Sequence, residues 1–289
     1  MSGTAEIDDV ATAKYLWTVR DLPPYRPVAR KLMLLTTREN VPLSEVQEVL
    51  RTDAAFAADV LRLANSPLIG MRGEITSIMQ AVLMLGLERI KALATTLSLR
   101  AFLTGGDPSG ALRQSWRHNL AAAILCQRLA RLVHLDSDTC YTAGLLHDIG
   151  RLAFLRTCRK KYELVLAQSR DSDFDLLQRE KSIFGIDHCE AGASILEQWG
   201  FPQELREAVL LHHRRPQPGA SGLLPVVYAG WQIADALGFS TVKNESACGD
   251  IAEIAAVLPA GARRQLGEEF DGLAEEVAFK INAIECSLV

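Results

Sequence analysis

Leu145-Leu146-His147-Asp148-Ile149-Gly150 sets an imidazole beside a carboxylate inside an apolar stretch. Polar side chains on an apolar segment are costly to bury unless each finds a partner. Imidazole nitrogen and carboxylate oxygen are donors that suit iron, manganese, nickel or zinc. A carboxylate also bridges two cations where an imidazole does not. An adjacent His-Asp pair therefore serves a binuclear site, where metals about 4 Å apart activate a water and clamp a phosphate.

Outward from this stretch the apolar residues recur at helical spacing, and period-2 alternation is nearly absent. In the N-terminal part, Val46, Val49 and Leu50 share one face, introduced by Ser44 with Gln47 three residues on, a capping-box pattern. Asp53 caps the next helix, whose stripe is Phe56, Val60, Leu61 and Leu63; Asn65-Ser66-Pro67 stops it. Thr76 or Ser77 starts the run Ile78, Val82 and Leu85, and Gly86 bends the chain before a further helix. Gly105-Gly106-Asp107-Pro108-Ser109-Gly110 reads as an exposed linker. Beyond it the period predicts helices near 114–133, 138–149, 152–168, 174–184, 188–199, 203–212 and 224–237. Asp187 with Glu190 is a second capping pattern. The tail stripe Leu266, Phe270, Leu273, Val277, Ile281 and Ile284 lies on one helical face, either closing the chain's own core or forming a dimer or partner surface.

Of the six histidines, His118, His147, His188, His212 and His213 are placed to converge. Asp235 follows in Ile233-Ala234-Asp235-Ala236. Each alone has a plainer reading as a core histidine or a helix cap. His212-His213 in an apolar run is harder to dismiss, because two imidazoles side by side both need partners. His134 has no partner motif and reads as structural.

Composition narrows the classes. Apolar residues make up 48% and charged residues 23% of 289, which fits a globular chain with a full core. The net charge is −4, and the longest basic cluster is Arg159-Lys160-Lys161, so a nucleic-acid partner is not expected. None of the six cysteines forms a C-x-x-C pair; they read as reduced thiols, mostly buried. The first ten residues carry acids and no apolar core, unlike a signal peptide, and 217–234 is too broken by proline and glycine to span a membrane. A cytoplasmic location is expected, with no membrane partner.

Leu145-Leu146-His147-Asp148-Ile149-Gly150 resembles the signature of the HD superfamily of metal-dependent phosphohydrolases. Val60-Leu61-Arg62-Leu63-Ala64-Asn65-Ser66-Pro67, Ile75-Thr76-Ser77-Ile78-Met79-Gln80-Ala81-Val82, Trp116-Arg117-His118-Asn119 and the opening Leu22-Pro23 narrow the resemblance to the HDOD domain, over about three quarters of the chain. The resemblance implies an all-α fold, with an HDOD-specific helical lobe over 22–104 packed on an HD-like bundle over 109–237. The rest, 238–289, would be a C-terminal helical extension. It implies a bacterial regulatory or signalling module, whose partner is a signalling protein, a small-molecule or nucleotide effector, or a second copy of the chain. The alternative is a metal-dependent phosphohydrolase acting on a nucleotide or other phosphoester.

By the same resemblance His118, His147, Asp148 and Asp235 match the superfamily's ligand set. His188, His212 and His213 complete a second position, with Asp148 bridging. One or two divalent cations (iron, manganese, nickel or zinc) are the implied cofactor. In a hydrolase Asp148 and Arg151 would be catalytic, Arg151 steadying the phosphate. Two departures stand out from the related HD-GYP proteins, which hydrolyse cyclic di-GMP. His212-His213 is followed by Arg214-Arg215-Pro216 rather than a Gly-Tyr-Pro segment, and the lysine expected after the glycine is Arg151.

Overall fold

The computed structural model describes residues 22, 24–35, 41–67, 69, 74–104, 109–168, 175–241, 250–268 and 270–287. The opening ten residues, Pro23, Gly105–Pro108 of the linker and Cys248 lie outside them. Among the described residues there are helices and no strand, as the period predicts.

The N-terminal helices are α1 (Pro27–Leu35), α2 (Leu43–Arg51), α3 (Ala54–Ala64) and α4 (Ile78–Arg100). The Asp53 side chain accepts from the Phe56 N–H at 3.0 Å, and Ser77, rather than Thr76, accepts from the Gln80 N–H at 3.1 Å. Gly86 bends α4 with φ of 77°, a left-handed conformation that favours glycine. Ser44 does not cap α2. The helix begins one residue earlier, behind Pro42, which makes no side-chain cap, so Ser44 lies inside the first turn. Past the bend, Ile90 to Leu99 of α4 is buried and runs against the histidine-bearing bundle. Tyr25 ties the two parts together: it stacks on Trp199 at 4.9 Å between centroids, and its hydroxyl lies 3.0 Å from Thr95 Oγ1.

The bundle is built around α5 (Gly110–Leu132), buried on every face from Leu120 to Cys126, as befits a helix packed all round. Ser109, expected to be exposed with the linker, is instead buried, because its hydroxyl accepts from the Leu112 N–H and starts α5. The helix ends in a left-handed residue, His134 (φ 60°), and the Leu135 N–H reaches back to the Ala130 carbonyl at 2.9 Å. His134 is exposed and serves as this helix stop.

Around α5 lie α6 (Ser137–Leu146), α7 (Ile149–Thr157), α8 (Arg159–Gln168), α9 (Leu176–Phe184), α10 (His188–Trp199), α11 (Gln203–Leu211) and α12 (Leu223–Ala234). The helix predicted over 138–149 is broken at His147-Asp148, and the one over 152–168 at Cys158. The His-Asp pair therefore sits at a helix junction, not mid-helix. The remaining helices are α13 (Ile251–Ala255), α14 (Ala260–Glu268) and α15 (Leu273–Ser287). The tail stripe closes the chain's own core: Leu266, Leu273, Val277, Ile281 and Ile284 are buried, and α14 and α15 pack on α5. No helix among the described residues is long and apolar enough to cross a membrane.

Candidate metal centre

Helix ends make the site. The last carbonyls of a helix lack intrahelical partners. His147, just past α6, donates its Nδ1–H to the Gly144 carbonyl at 2.7 Å. His212, just past α11, does the same to the Val209 carbonyl at 2.7 Å. Each ring thereby caps its own helix through Nδ1 and is left with Nε2 to offer to the centre. His188, the first residue of α10, sends Nδ1–H to Glu180 Oε2 at 2.7 Å and its backbone N–H to the same oxygen at 2.8 Å. His118, on α5, has Nδ1 3.2 Å from the Phe239 carbonyl and 3.3 Å from Asp235 Oδ1. Asp235 reaches it from a π-helical turn over Asp235–Phe239 that continues α12. Such wide turns occur often at functional sites.

With the Nδ1 atoms of His118, His147, His188 and His212 engaged, Nε2 is the atom each of these rings offers to the centre. His118 Nε2 lies 3.1 Å from His147 Nε2, and His188 Nε2 lies 3.0 Å from His213 Nε2. Two bare lone pairs at that separation repel unless a proton or a cation stands between them. Asp148 lies between the two pairs. Its Oδ2 faces His118 and His147, each at 3.8 Å, and its Oδ1 faces His188 at 3.3 Å and His212 at 3.4 Å. Asp148 Oδ1, His212 Nε2 and Asp235 Oδ1 are buried without a hydrogen-bond partner. The structure thus brings together all seven residues expected from the sequence, in two groups that meet at Asp148. Arg151, the other expected residue, is buried with Nε 3.0 Å from Asp148 Oδ2.

Close backbone approach makes this convergence feasible. Gly150 on α7 packs so tightly on α10 that a Cβ there would fall 2.0 Å from the His188 carbonyl oxygen. Three residues outside the expected set also shape the site. Buried Glu180 takes the Tyr162 hydroxyl at 2.6 Å besides its two bonds from His188. Trp231 donates its indole N–H to the His212 carbonyl at 3.0 Å, and its ring lies 4.9 Å from that of His213. The Cys189 sulfur groups with His188, His212 and His213, the four donor atoms lying within 4.8 Å of one another; His118, His147 and Asp148 form the other group.

Charge alternates through the centre. Burial and the neighbouring imidazoles hold His147 and His213 well below the ordinary histidine range. Burial pulls the same way on His188 and His212, but it is outweighed. Cys189 and Glu180 lift His188, while Cys189 and Asp148 lift His212 to about 9. Burial would raise Cys189, yet His188 and His212 draw its thiol down to about 6. Burial likewise opposes ionisation of Asp148, but Arg151 and His147 hold its carboxyl well below the usual range. Burial raises Asp235.

A family model described as HDOD domain matches residues 22–215. The chain belongs to the HDOD domain family. Solved structures agree on the fold. An HDOD domain protein of unknown function from Geobacter sulfurreducens superposes with a TM-score of 0.68 at 21% identity, over 95% of this chain and 99% of that one. A Shewanella amazonensis protein provisionally named a phosphohydrolase gives 0.70 at 23% identity, over 100% and 99%. A Marinobacter aquaeolei protein provisionally named a signal transduction protein gives 0.69 at 23% identity, over 98% and 66%. Among curated proteins, an uncharacterized protein of Treponema pallidum (strain Nichols) is 22% identical over 201 residues, covering 68% of this HDOD chain. The match spans only 39% of that relative's length.

Proposed function

We propose that this HDOD protein is a regulatory module of bacterial signal transduction whose His/Asp centre binds divalent metal. The observation that carries the metal reading is the inward set of Nε2 atoms around Asp148, with His212 Nε2 and Asp148 Oδ1 orphaned at full burial. Unpaired buried polar atoms cost about 1–3 kcal/mol each, and a cation satisfies several at once. His118, His147, Asp148 and Asp235 would hold one position. His188, His212 and His213 would hold the second, with Asp148 shared. Iron, manganese, nickel and zinc all suit such donors.

Enclosure favours regulation over turnover. His118, His147, Asp148, His188 and His212 are each no more than 2% exposed, and Arg151 is buried with its Nε ion-paired to Asp148. A phosphoester needs an open face and a free cation to hold it. The module would act by presenting its surface to a signalling protein, a nucleotide or other small effector, or a second copy, in the cytoplasm, without nucleic acid or membrane. The names of the Shewanella and Marinobacter structures, phosphohydrolase and signal transduction, span the two readings.

A metal-dependent phosphohydrolase is the second reading, and one observation favours it: the Asp235 side chain is 29% exposed, so the centre has an edge toward solvent. Bound cations would supply Lewis-acid charge for a phosphate oxygen and an acidified water. Asp148 would orient the pair of positions and Arg151 would steady the anion. Metal analysis of protein purified without chelator, paired with a screen of phosphomonoesters, phosphodiesters and cyclic dinucleotides, separates the readings. Bound metal without turnover is expected. Turnover lost in Asp148→Ala would favour the hydrolase, and absence of any metal after resupply of iron, manganese, nickel and zinc would defeat the centre itself.

A further inference from the structure

Five cysteines lie among the described residues, and Cys126 shows what a core thiol looks like in this fold. Its sulfur lies 3.6 Å from the Val226 carbonyl, with the α-carbons of Gly144 and Gly230 packed close against it. Cys189 is buried as deeply but in different company. It is the second residue of α10, directly after His188, and its sulfur is grouped with nitrogens of His188, His212 and His213. His188 and His212 have their Nδ1 atoms fixed on Glu180 and the Val209 carbonyl, so Nε2 is the atom each offers. His212 Nε2 is buried, lacks a hydrogen-bond partner and points into this group.

We infer that Cys189 is a thiolate ligand of the second metal position, making it the softer of the two, beside a neighbour that has no sulfur donor. This rests on the proposed metal centre and says which donors complete it. Three imidazole nitrogens and one sulfur are donors of the kinds zinc takes, with Zn–N about 2.0–2.1 Å and Zn–S about 2.3 Å, and they stand beside the shared Asp148. Donors at those bond lengths stand about 3.5 Å apart, inside the 4.8 Å span of the group. The other position offers two imidazoles and carboxylate oxygen from Asp148 and Asp235, with no sulfur. Thiolate favours zinc, ferrous iron and cobalt over manganese and magnesium, whereas carboxylate suits manganese. The two halves would thus sort metals by softness, zinc or ferrous iron at Cys189 and a harder cation at Asp235. Binding transfers no electrons: the thiol gives up its proton and sulfur donates a lone pair.

Cobalt(II) titration of the full chain tests this, read by absorption and elemental analysis together. Cobalt at Cys189 gives a near-ultraviolet sulfur-to-cobalt charge-transfer band in addition to visible ligand-field bands. That band is expected in wild type and in Cys286→Ser, which removes an exposed thiol, and is lost in Cys189→Ser. Zinc X-ray absorption on wild-type protein needs no variant, and a sulfur shell near 2.3 Å beside nitrogen is expected there. Bound cobalt with ligand-field bands but no sulfur band, and a zinc shell of nitrogen and oxygen alone, would overturn the role of Cys189 and leave the metal centre standing. Failure to bind cobalt or zinc at all would overturn both. Manganese displacing zinc as readily from wild type as from Cys189→Ser would also count against a soft site.

Discussion

Replacing Glu180 isolates the part of the centre that holds a histidine rather than a cation. Glu180 is fully buried and accepts from three donors: the Tyr162 hydroxyl at 2.6 Å, the His188 N–H at 2.8 Å and His188 Nδ1–H at 2.7 Å. Glu180→Ala leaves all three unsatisfied. At about 1–3 kcal/mol for each buried orphan, the loss is about 3–9 kcal/mol, most of the stability of an ordinary domain. Glu180→Gln is the milder probe. Its amide oxygen can keep the two His188 bonds and its NH2 can donate to the Tyr162 oxygen, so shape survives while the charge and the acceptor of the Tyr162 hydroxyl proton go. Charge-assisted hydrogen bonds contribute about 1 kcal/mol more than neutral ones, which for two bonds is about 2 kcal/mol. The stability of chelator-treated protein should fall by at least that amount in urea unfolding, since the Tyr162 hydroxyl proton also loses its acceptor. Metal affinity, read by competition with a chromophoric chelator, should fall about 10–100-fold, because the carboxylate fixes the ring and makes Nε2 a better donor. Tyr162→Phe, which removes one bond, leaves one buried Glu180 oxygen without it and keeps His188 held, should cost about 1–3 kcal/mol and leave affinity near wild type. Glu180→Gln binding metal as tightly as wild type would refute the claim that this carboxylate orients His188.

Gly150→Ala should force α7 from α10, since its Cβ would lie 2.0 Å from a backbone oxygen. A loss of about 1–3 kcal/mol or more in thermal or urea unfolding is expected, with weakened metal binding; Gly261→Ala, with nothing within 4 Å, should cost nothing. Asp148→Ala should abolish bound metal by elemental analysis and leave Arg151 charged, buried and unpaired, a loss of about 3–5 kcal/mol, while His134→Ala keeps its metal. Because Asp148 is held below the usual carboxylate range, its contribution is present above about pH 3.9 and is lost as pH falls through the lower folded value, so acid unfolding of metal-free wild type should steepen there. Against burial, Cys189 and Asp148 lift His212 to about 9, so cation uptake at neutral pH must expel at least one proton. Apparent affinity should climb from pH 7 toward about 9 and then flatten, and calorimetry in buffers of different ionisation enthalpy should count the protons; uptake without proton release would contradict this.

What was legible in the sequence and what was not divide along one physical line. Helical period and capping residues act locally, so the all-α class, the Asp53, Ser77 and Asp187 caps and the bend at Gly86 can be read from short windows. The seven histidine and aspartate positions were legible because their side-chain types are conspicuous on apolar helices. The break at His147-Asp148 was not, for no proline marks it. It forms because the His147 ring turns back onto the Gly144 carbonyl and ends the helix there. Ser109 was misread for a related reason: a small polar residue beside glycines looks like linker until its hydroxyl is seen capping α5.

Glu180 and Cys189 were invisible for the opposite reason to the histidines. On the helix that precedes His188, a glutamate has the sequence signature of a solvated face, and a cysteine beside a histidine that of a packed thiol. Only their placement separates them from those ordinary roles. Glu180 is sealed under Tyr162 and His188, and the Cys189 sulfur is turned into the same space as three imidazoles. A buried carboxylate that grips a ring and a buried thiol that faces one make sense together. The first fixes the His188 ring by Nδ1 so that Nε2 is the atom offered to a cation, and the second supplies negative charge that a site of imidazoles needs to hold a dication in a low-dielectric interior. Without Cys189, the second position would depend on Asp148 alone for charge, and Asp148 must also serve His118, His147 and Arg151.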